Sequence, residues 1–179
     1  MSKKIFVISA SPRKGGNSDR LADEWIRGAR EAGHHVEKVS LRDHTIEFCR
    51  GCLSCTKTQR CVIADDAAAI VEQMRTADII VFATPIYYYG MCGQLKTMLD
   101  RSNPLYASDY RFRDIYLLSA AAEDGRHTAD GAVTGLQGWI DCFEKARLAG
   151  TVFAGGVTSV GEIQGHDALR QAYEMGKNA

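Results

Sequence analysis

The sequence has no surplus of charge of either sign: 22 lysines and arginines face 22 aspartates and glutamates, and the pI is about 6.9. A protein that wraps a polyanion usually carries a basic excess, so DNA or RNA as principal partner is disfavoured. Long apolar runs are missing too. Those present, such as Asp78-Ile79-Ile80-Val81-Phe82-Ala83, fall far short of the ~20 residues a membrane span needs. Met1 to Ile8 pass straight into strand-like sequence with no extended apolar leader or cleavage site, so a cytoplasmic chain without a signal peptide is expected. No internal repeat and no Pro/Ser-rich linker interrupts the chain, so residues 1–179 are expected to form one domain. No two glycines are separated by a single residue, which excludes the G-x-G-x-x-G dinucleotide fingerprint. The residue between Gly16 and Ser18 is Asn17, which excludes a P-loop, and no cysteine is followed by arginine six residues on, which excludes a C-x5-R phosphatase loop.

What is present is an alternation. Lys4 to Ser9 is a short, nearly continuous apolar run of the kind that forms a strand covered on both faces. Leu21, Ala22, Trp25, Ile26 and Ala29 then form one helical stripe that Gly33 stops. Val36 to Leu41 reads as a second strand, and Asp65-Asp66 offers caps for a helix carrying Ala67, Ile70, Val71 and Met74 on one face. Asp78 to Thr84 is the third strand, expected to end at Pro85, and a helix over Met91 to Arg101 follows. Ile115 to Ala122 and Ala149 to Ala154 complete five strands, with helices around Leu136–Phe143 and Asp167–Met175. Such alternation implies right-handed βαβ units, hence a doubly wound parallel sheet in an α/β/α sandwich, with 2-1-3-4-5 the expected strand order.

In such sheets ligands bind beyond the carboxyl ends of the strands where the order reverses, here after strands one and three. The first of these loops, Ser11 to Ser18, brings hydroxyls, an amide, a guanidinium and two glycines to a helix N-terminus. Unpaired N–H groups there favour a phosphate, with Ser11, Arg13, Asn17 and Ser18 as donors and Asn17 and Ser18 also as caps. A plain helix cap with solvated Arg13 is the competing reading. The second loop, Pro85-Ile86-Tyr87-Tyr88-Tyr89-Gly90, is proline-stiffened and aromatic, suited to lie along a flat heterocycle. The same tyrosines would also serve a subunit contact.

Ser-Pro-Arg-Lys-Gly-Gly-Asn-Ser after the first strand and Thr-Pro-Ile-Tyr-Tyr-Tyr-Gly after the third, followed by Leu95-Lys96 and Leu99-Asp100-Arg101, resemble the flavodoxin-like NAD(P)H-dependent FMN reductases. The resemblance implies a flavodoxin-like fold, FMN as cofactor and NAD(P)H as co-substrate, with Ser11, Arg13, Asn17 and Ser18 on the phosphate and Pro85 to Gly90 on the isoalloxazine. It also implies a homodimer or higher homo-oligomer, and an acceptor that is a quinone, a nitro or azo compound, a flavin or a protein. The chain departs from the family pattern at Ala10 and at Ala120–Gly125, where many relatives carry glycines. The cofactor does the hard chemistry in such enzymes, so no acid–base catalytic residue is expected. His34, His35, His44 and His166 read as solvated, and only His127 lies in a loop that would approach the flavin.

Four of the six cysteines crowd into an expected insertion at about 42–64. Cys49, Cys52, Cys55 and Cys61 are spaced C-x2-C-x2-C-x5-C, which wraps three thiols round one centre and closes it with a fourth. The arrangement resembles the iron–sulfur flavoproteins and implies a [4Fe–4S] cluster on these residues. Tetrathiolate zinc, and free thiols or a disulfide in a loop over the substrate, stay open beside it. Three functions follow: an FMN-dependent oxidoreductase, an electron carrier working through a cluster, and a non-enzymatic thiol or metal redox sensor.

Overall fold

A computed structural model describes residues 1–179, the side chain of Ala107 excepted. The core is a parallel sheet of β1 (Lys4–Ser9), β2 (His35–Ser40), β3 (Ile79–Tyr87), β5 (Asp114–Ala120) and β6 (Arg147–Ala154), in the order β2-β1-β3-β5-β6. A two-residue β4 (Gly90–Met91) pairs antiparallel with the end of β3. The doubly wound order is the expected one, with that one addition.

Alternation along each strand splits the core in two. Phe6 and Ile8 of β1 pack under α3 (Ala67–Thr76), α4 (Gly93–Arg101) and α5 (Asp130–Ile140). Ile5 and Val7 face α1 (Asn17–Glu31) and α6 (Asp167–Lys177) on the other side. A four-residue helix α2 (Cys55–Thr58) lies in the cysteine segment. Helices α1 and α6 meet backbone to backbone: a Cβ on Gly28 would stand 2.0 Å from Tyr173 O, and one on Gly176 the same from Trp25 O. No helix among the described residues is long and apolar enough to cross a membrane.

Two expectations about the third strand are corrected. Pro85 does not end it, because Pro85 pairs with Ala120 and the strand runs on to Tyr87. Ala83 O accepts from Ala10 N–H, so Pro85, two residues on, turns its nitrogen to the same edge just beyond the point where β1 leaves the sheet. The missing donor costs no ladder bond there. The next helix begins at Gly93 rather than Met91, since Met91 is held opposite Ile86 in β4. Asp66 stands at the N-cap of α3 without a side-chain cap, and Asp65, although it accepts from Ala67 N–H, is committed mainly to Arg101.

Candidate functional site

The loops leaving β1 and β3 lie side by side. Cys92, fully buried, donates its Sγ–H to Ala10 O at 3.3 Å and its N–H to Thr84 Oγ1 at 3.1 Å. Thr84 Oγ1 in turn donates to Pro85 O at 2.8 Å. These bonds root both loops, and the start of α4, on one spot at the carboxyl edge of the sheet.

Within the first loop, Ser11 Oγ donates to Arg13 O at 2.9 Å and Gly16 N–H donates to the same carbonyl at 3.1 Å. A Cβ on Gly16 would come within 2.5 Å of Ser11 Oγ, so any side chain there would have to displace the Ser11 hydroxyl from Arg13 O. Asp19 braces the loop from below. Its carboxylate accepts from Gly15 N–H at 3.2 Å and Ser9 Oγ at 2.7 Å, and pairs with Lys38 Nζ at 2.7 Å. Burial alone would raise the pKa of Asp19, but the Lys38 and Ser9 hydrogen bonds, the Lys38 charge and Gly15 N–H together hold it below the ordinary value.

The expected caps are corrected. Gly16, not Asn17 or Ser18, occupies the N-cap of α1, and no side chain caps that end. The first-turn N–H groups of a helix have no intrahelical partner, so this terminus presents donors. Asn17 and Ser18 are both buried, and Asn17 Oδ1 and Ser18 Oγ have no hydrogen-bond partner among the described residues. Unsatisfied buried polar atoms are uncommon, and two neighbours at an uncapped helix start suit a polar or anionic group. Arg13 is exposed and donates to Thr158 O at 2.7 Å, while Asn17 Nδ2 donates to Ser159 O at 3.1 Å.

The loop after β6 is therefore a further wall that sequence reading missed. Glu162 accepts from Thr158 N–H at 2.5 Å and Ser159 N–H at 2.8 Å, which hold its carboxyl below the usual range. The signal for it is legible as Ser159-x-x-Glu162, a capping-box spacing.

On the β3 side, Pro85 and Ile86 are buried while Tyr87, Tyr88 and Tyr89 stand at the surface. Tyr88 and Tyr89 form the two-residue turn between Tyr87 and Gly90, and both adopt left-handed backbone, at φ 48° and 63°. Left-handed conformations cost a non-glycine residue of order 1–3 kcal/mol each and concentrate at ligand clamps. Tyr89 Oη donates to Glu123 Oε2 at 2.8 Å, and this bond and the Glu123 charge raise the tyrosine's pKa. Glu123 lies in the stretch where the family pattern has glycines, so this departure latches the turn to the loop after β5. His127, in that same loop, is exposed and pairs with Asp130 at 2.7 Å. Of the other histidines, His166 is not merely solvated: its Nδ1 caps α6 by accepting from Ala168 N–H.

The cysteine segment forms a second locality. Its neck is closed by carboxylates: Asp65 Oδ2 accepts from Glu47 N–H and Asp66 Oδ2 from Thr45 N–H, each at 2.8 Å. Cys49, Cys52, Cys55 and Cys61 all line one cavity of about 400 Å³, and Cys142, distant in sequence, lines it as well. All are free thiols. Asn103 Nδ2 donates to Cys55 Sγ at 3.0 Å and Gly51 N–H to Cys49 Sγ at 3.4 Å. The N–H and hydroxyl of Ser54 hold the Cys52 thiol below its ordinary pKa. No three His, Cys, Asp or Glu side chains among the described residues are gathered at metal-ligating geometry. The cavity adjoins Arg101 at the end of α4 and Cys142 just beyond α5, whereas the tyrosine turn adjoins the beginnings of both helices. The nine residues of α4 place these ends about 12 Å apart.

Known proteins similar to this chain fix its family. The family described as NADPH-dependent FMN reductase matches residues 3–156. An iron–sulfur flavoprotein of Methanocaldococcus jannaschii is 39% identical over 102 residues, which are 57% of this chain and 53% of that protein. The chain spans about half the length of the curated relatives it matches. In fold it is similar to an NAD(P)H:quinone oxidoreductase from Methanothermobacter marburgensis, with a TM-score of 0.77 at 19% identity over 99% of this chain and 96% of that one. It is similar also to an azoreductase from Bacillus anthracis, with a TM-score of 0.75 at 18% identity and both chains fully covered. With the match running from the residue before β1 to just past β6, the chain belongs to the NADPH-dependent FMN reductase family.

Proposed function

We propose that this chain is an FMN-dependent NAD(P)H oxidoreductase whose cofactor lies in the slot between the loops after β1 and β3. When bound, FMN supplies hydride acceptance and electron release at its isoalloxazine ring. The start of α1, with Asn17 and Ser18, would hold the phosphate end of the cofactor, and Ser11 keeps the loop in shape through its bond to Arg13 O. Arg13 adds charge from the rim. Buried Pro85 and Ile86 and the backbone to Gly90 line the ring end, and Tyr87, Tyr88 and Tyr89 limit water access. The chain contributes position rather than proton transfer, so no acid–base residue is assigned. A second subunit covers the exposed tyrosines in this reading. The acceptor class is a quinone, an azo or nitro compound, a free flavin or a protein, and residues 1–179 act as one flavodoxin-like domain.

The observation that carries the reading is the pair of buried, partnerless atoms, Asn17 Oδ1 and Ser18 Oγ, at an uncapped helix start beside the β3 loop. Titration of the purified protein with FMN, followed by NADPH oxidation with a quinone, tests it. Saturable binding with steady turnover is expected; a colourless protein that ignores added FMN overturns it.

A second reading concerns the cysteines, and the convergence of all four on one cavity favours it. The donor set fits a tetrathiolate centre, with Cys49, Cys52, Cys55 and Cys61 as ligands to a [4Fe–4S] cluster. Such a cluster, when bound, supplies one-electron transfer. The relatives named iron–sulfur flavoproteins support it, and closure of the loop on loading accounts for thiols that line the cavity without yet meeting at ligating distance. Iron and sulfide analysis after anaerobic purification tests it. Stoichiometric iron and sulfide are expected, and zinc or a reversible disulfide in their place overturns the cluster.

A further inference from the structure

Arg101 is the largest buried charge among the described residues, and its side chain is 0% exposed. It lies at the boundary of the cysteine cavity. Its fork is bidentate on Asp65, Nη1 to Oδ2 at 2.6 Å and Nη2 to Oδ1 at 2.8 Å. The same guanidinium donates to Glu47 O at 2.7 Å and to Ile63 O at 3.4 Å, the carbonyls that bracket the cysteines in the chain. One side chain therefore clasps both ends of the loop. Its remaining donor, Nε–H, is buried and has no hydrogen-bond partner among the described residues. A buried guanidinium that leaves a donor unpaired is costly, and a partner for it is to be sought in the cavity.

Four thiolates round a divalent metal ion, or round a cluster, carry a net negative charge. We propose that Arg101 is the positioning and charge-balancing residue of the cysteine site: it holds the ends of the loop together and turns an N–H toward the thiolate centre that the loop encloses. Asp65 orients the guanidinium and tempers its charge. The inference rests on the reading of the four cysteines as ligands, and the experiment separates the two.

The probe is Co²⁺, titrated anaerobically into the full chain and read by the thiolate-to-cobalt charge-transfer band. Circular dichroism and FMN binding report on folding. The wild type is expected to show the band and Cys52→Ser to lack it. Arg101→Gln should bind Co²⁺ about tenfold more weakly, because a cation beside a dianionic centre is gone. Asp65→Asn keeps the cation but loses half of the fork that orients it, so it should weaken Co²⁺ binding by no more than about threefold, clearly less than Arg101→Gln. Arg101→Lys keeps the charge but loses the fork, so its affinity should fall between those of the wild type and Arg101→Gln, about threefold below the wild type. A wild type without the band refutes the ligand reading, and this inference with it. A band that weakens equally in Arg101→Gln and Asp65→Asn, or an unchanged Arg101→Gln, refutes the inference alone. Should Arg101→Gln not fold, a tenfold loss in Arg101→Lys does the same.

Discussion

The two proposed sites, the β1–α1 loop and the cysteine segment, are held in place by opposite means. The first is shaped by backbone. Ala10 is hydrogen-bonded into the sheet, Gly16 packs tightly against the Ser11 hydroxyl, and the first-turn donors of α1 have no side-chain cap. The second is fastened by side chains at its neck, with Asp65, Asp66 and Arg101 holding an otherwise exposed excursion whose thiols are still apart. A site framed by sheet and helix is ready before its ligand arrives. A site framed by a few carboxylates takes its final form with the ligand, and its binding free energy is partly folding free energy.

The sharpest test of that contrast is Cys52→Ser. It should abolish the thiolate centre completely, with iron and sulfide per chain falling to background, while FMN affinity stays within about twofold. Joint loss of both ligands would mean that the two regions form one cooperative unit. Acid offers the next largest effect. The Arg101 hydrogen bonds hold the Asp65 carboxyl below its ordinary value, against a smaller opposing effect of burial. A depressed folded-state pKa makes the unfolded chain the better proton acceptor, so the stability it contributes is full above about pH 4 and is lost as pH falls through the depressed value. Asp19 is depressed in the same direction, but the loop it braces is also tied to the sheet by backbone bonds. Limited proteolysis at falling pH should therefore cut within residues 48–62 before it cuts within residues 11–16. Cleavage in the opposite order would break the comparison.

Much of this is legible in the chain because it rests on periodicity. The alternating burial of Ile5, Phe6, Val7 and Ile8 is the alternation of a two-sided strand, and the stripe of Leu21, Trp25 and Ile26 is the buried face of α1. The phosphate-type loop is legible because helix termini expose donors wherever they occur. The extension of β3 past Pro85 is not, since it depends on which edge the proline nitrogen faces, and that is a property of the neighbouring strand. Arg101 and Asp65 stand 36 residues apart in sequence, where one reads as part of a family motif and the other as a helix cap. Nothing local tells a buried ion pair from two solvated charges. Cys142 looks isolated in the chain for the same reason, and only the placement of the end of α5 beside the cysteine segment brings it to the cavity.

Arg13 gives a smaller effect on the first region. Its guanidinium is exposed and already bonded to Thr158 O, so Arg13→Ala should weaken FMN by about 1.5 kcal/mol, near tenfold, the low end for a charge-assisted contact. Isothermal titration at two salt concentrations checks it, since a rim charge loses part of its effect as screening rises. An affinity unchanged at low salt would remove Arg13 from the site.

Ser18→Ala gives the smallest effect and the most telling one, because two measurements on one variant should move in opposite directions. Ser18 Oγ is buried with no hydrogen-bond partner among the described residues, so the hydroxyl gains little from the protein to offset its desolvation cost. Replacing it with a methyl should leave thermal stability without FMN equal or slightly higher. If this hydroxyl donates to the FMN phosphate, as proposed, its loss should weaken binding by about 1 kcal/mol, some fivefold. A purely structural serine would lower stability in both states and leave affinity alone. A rise in one with a fall in the other marks a position where stability of the empty fold is given up so that the slot is already polar when the phosphate enters.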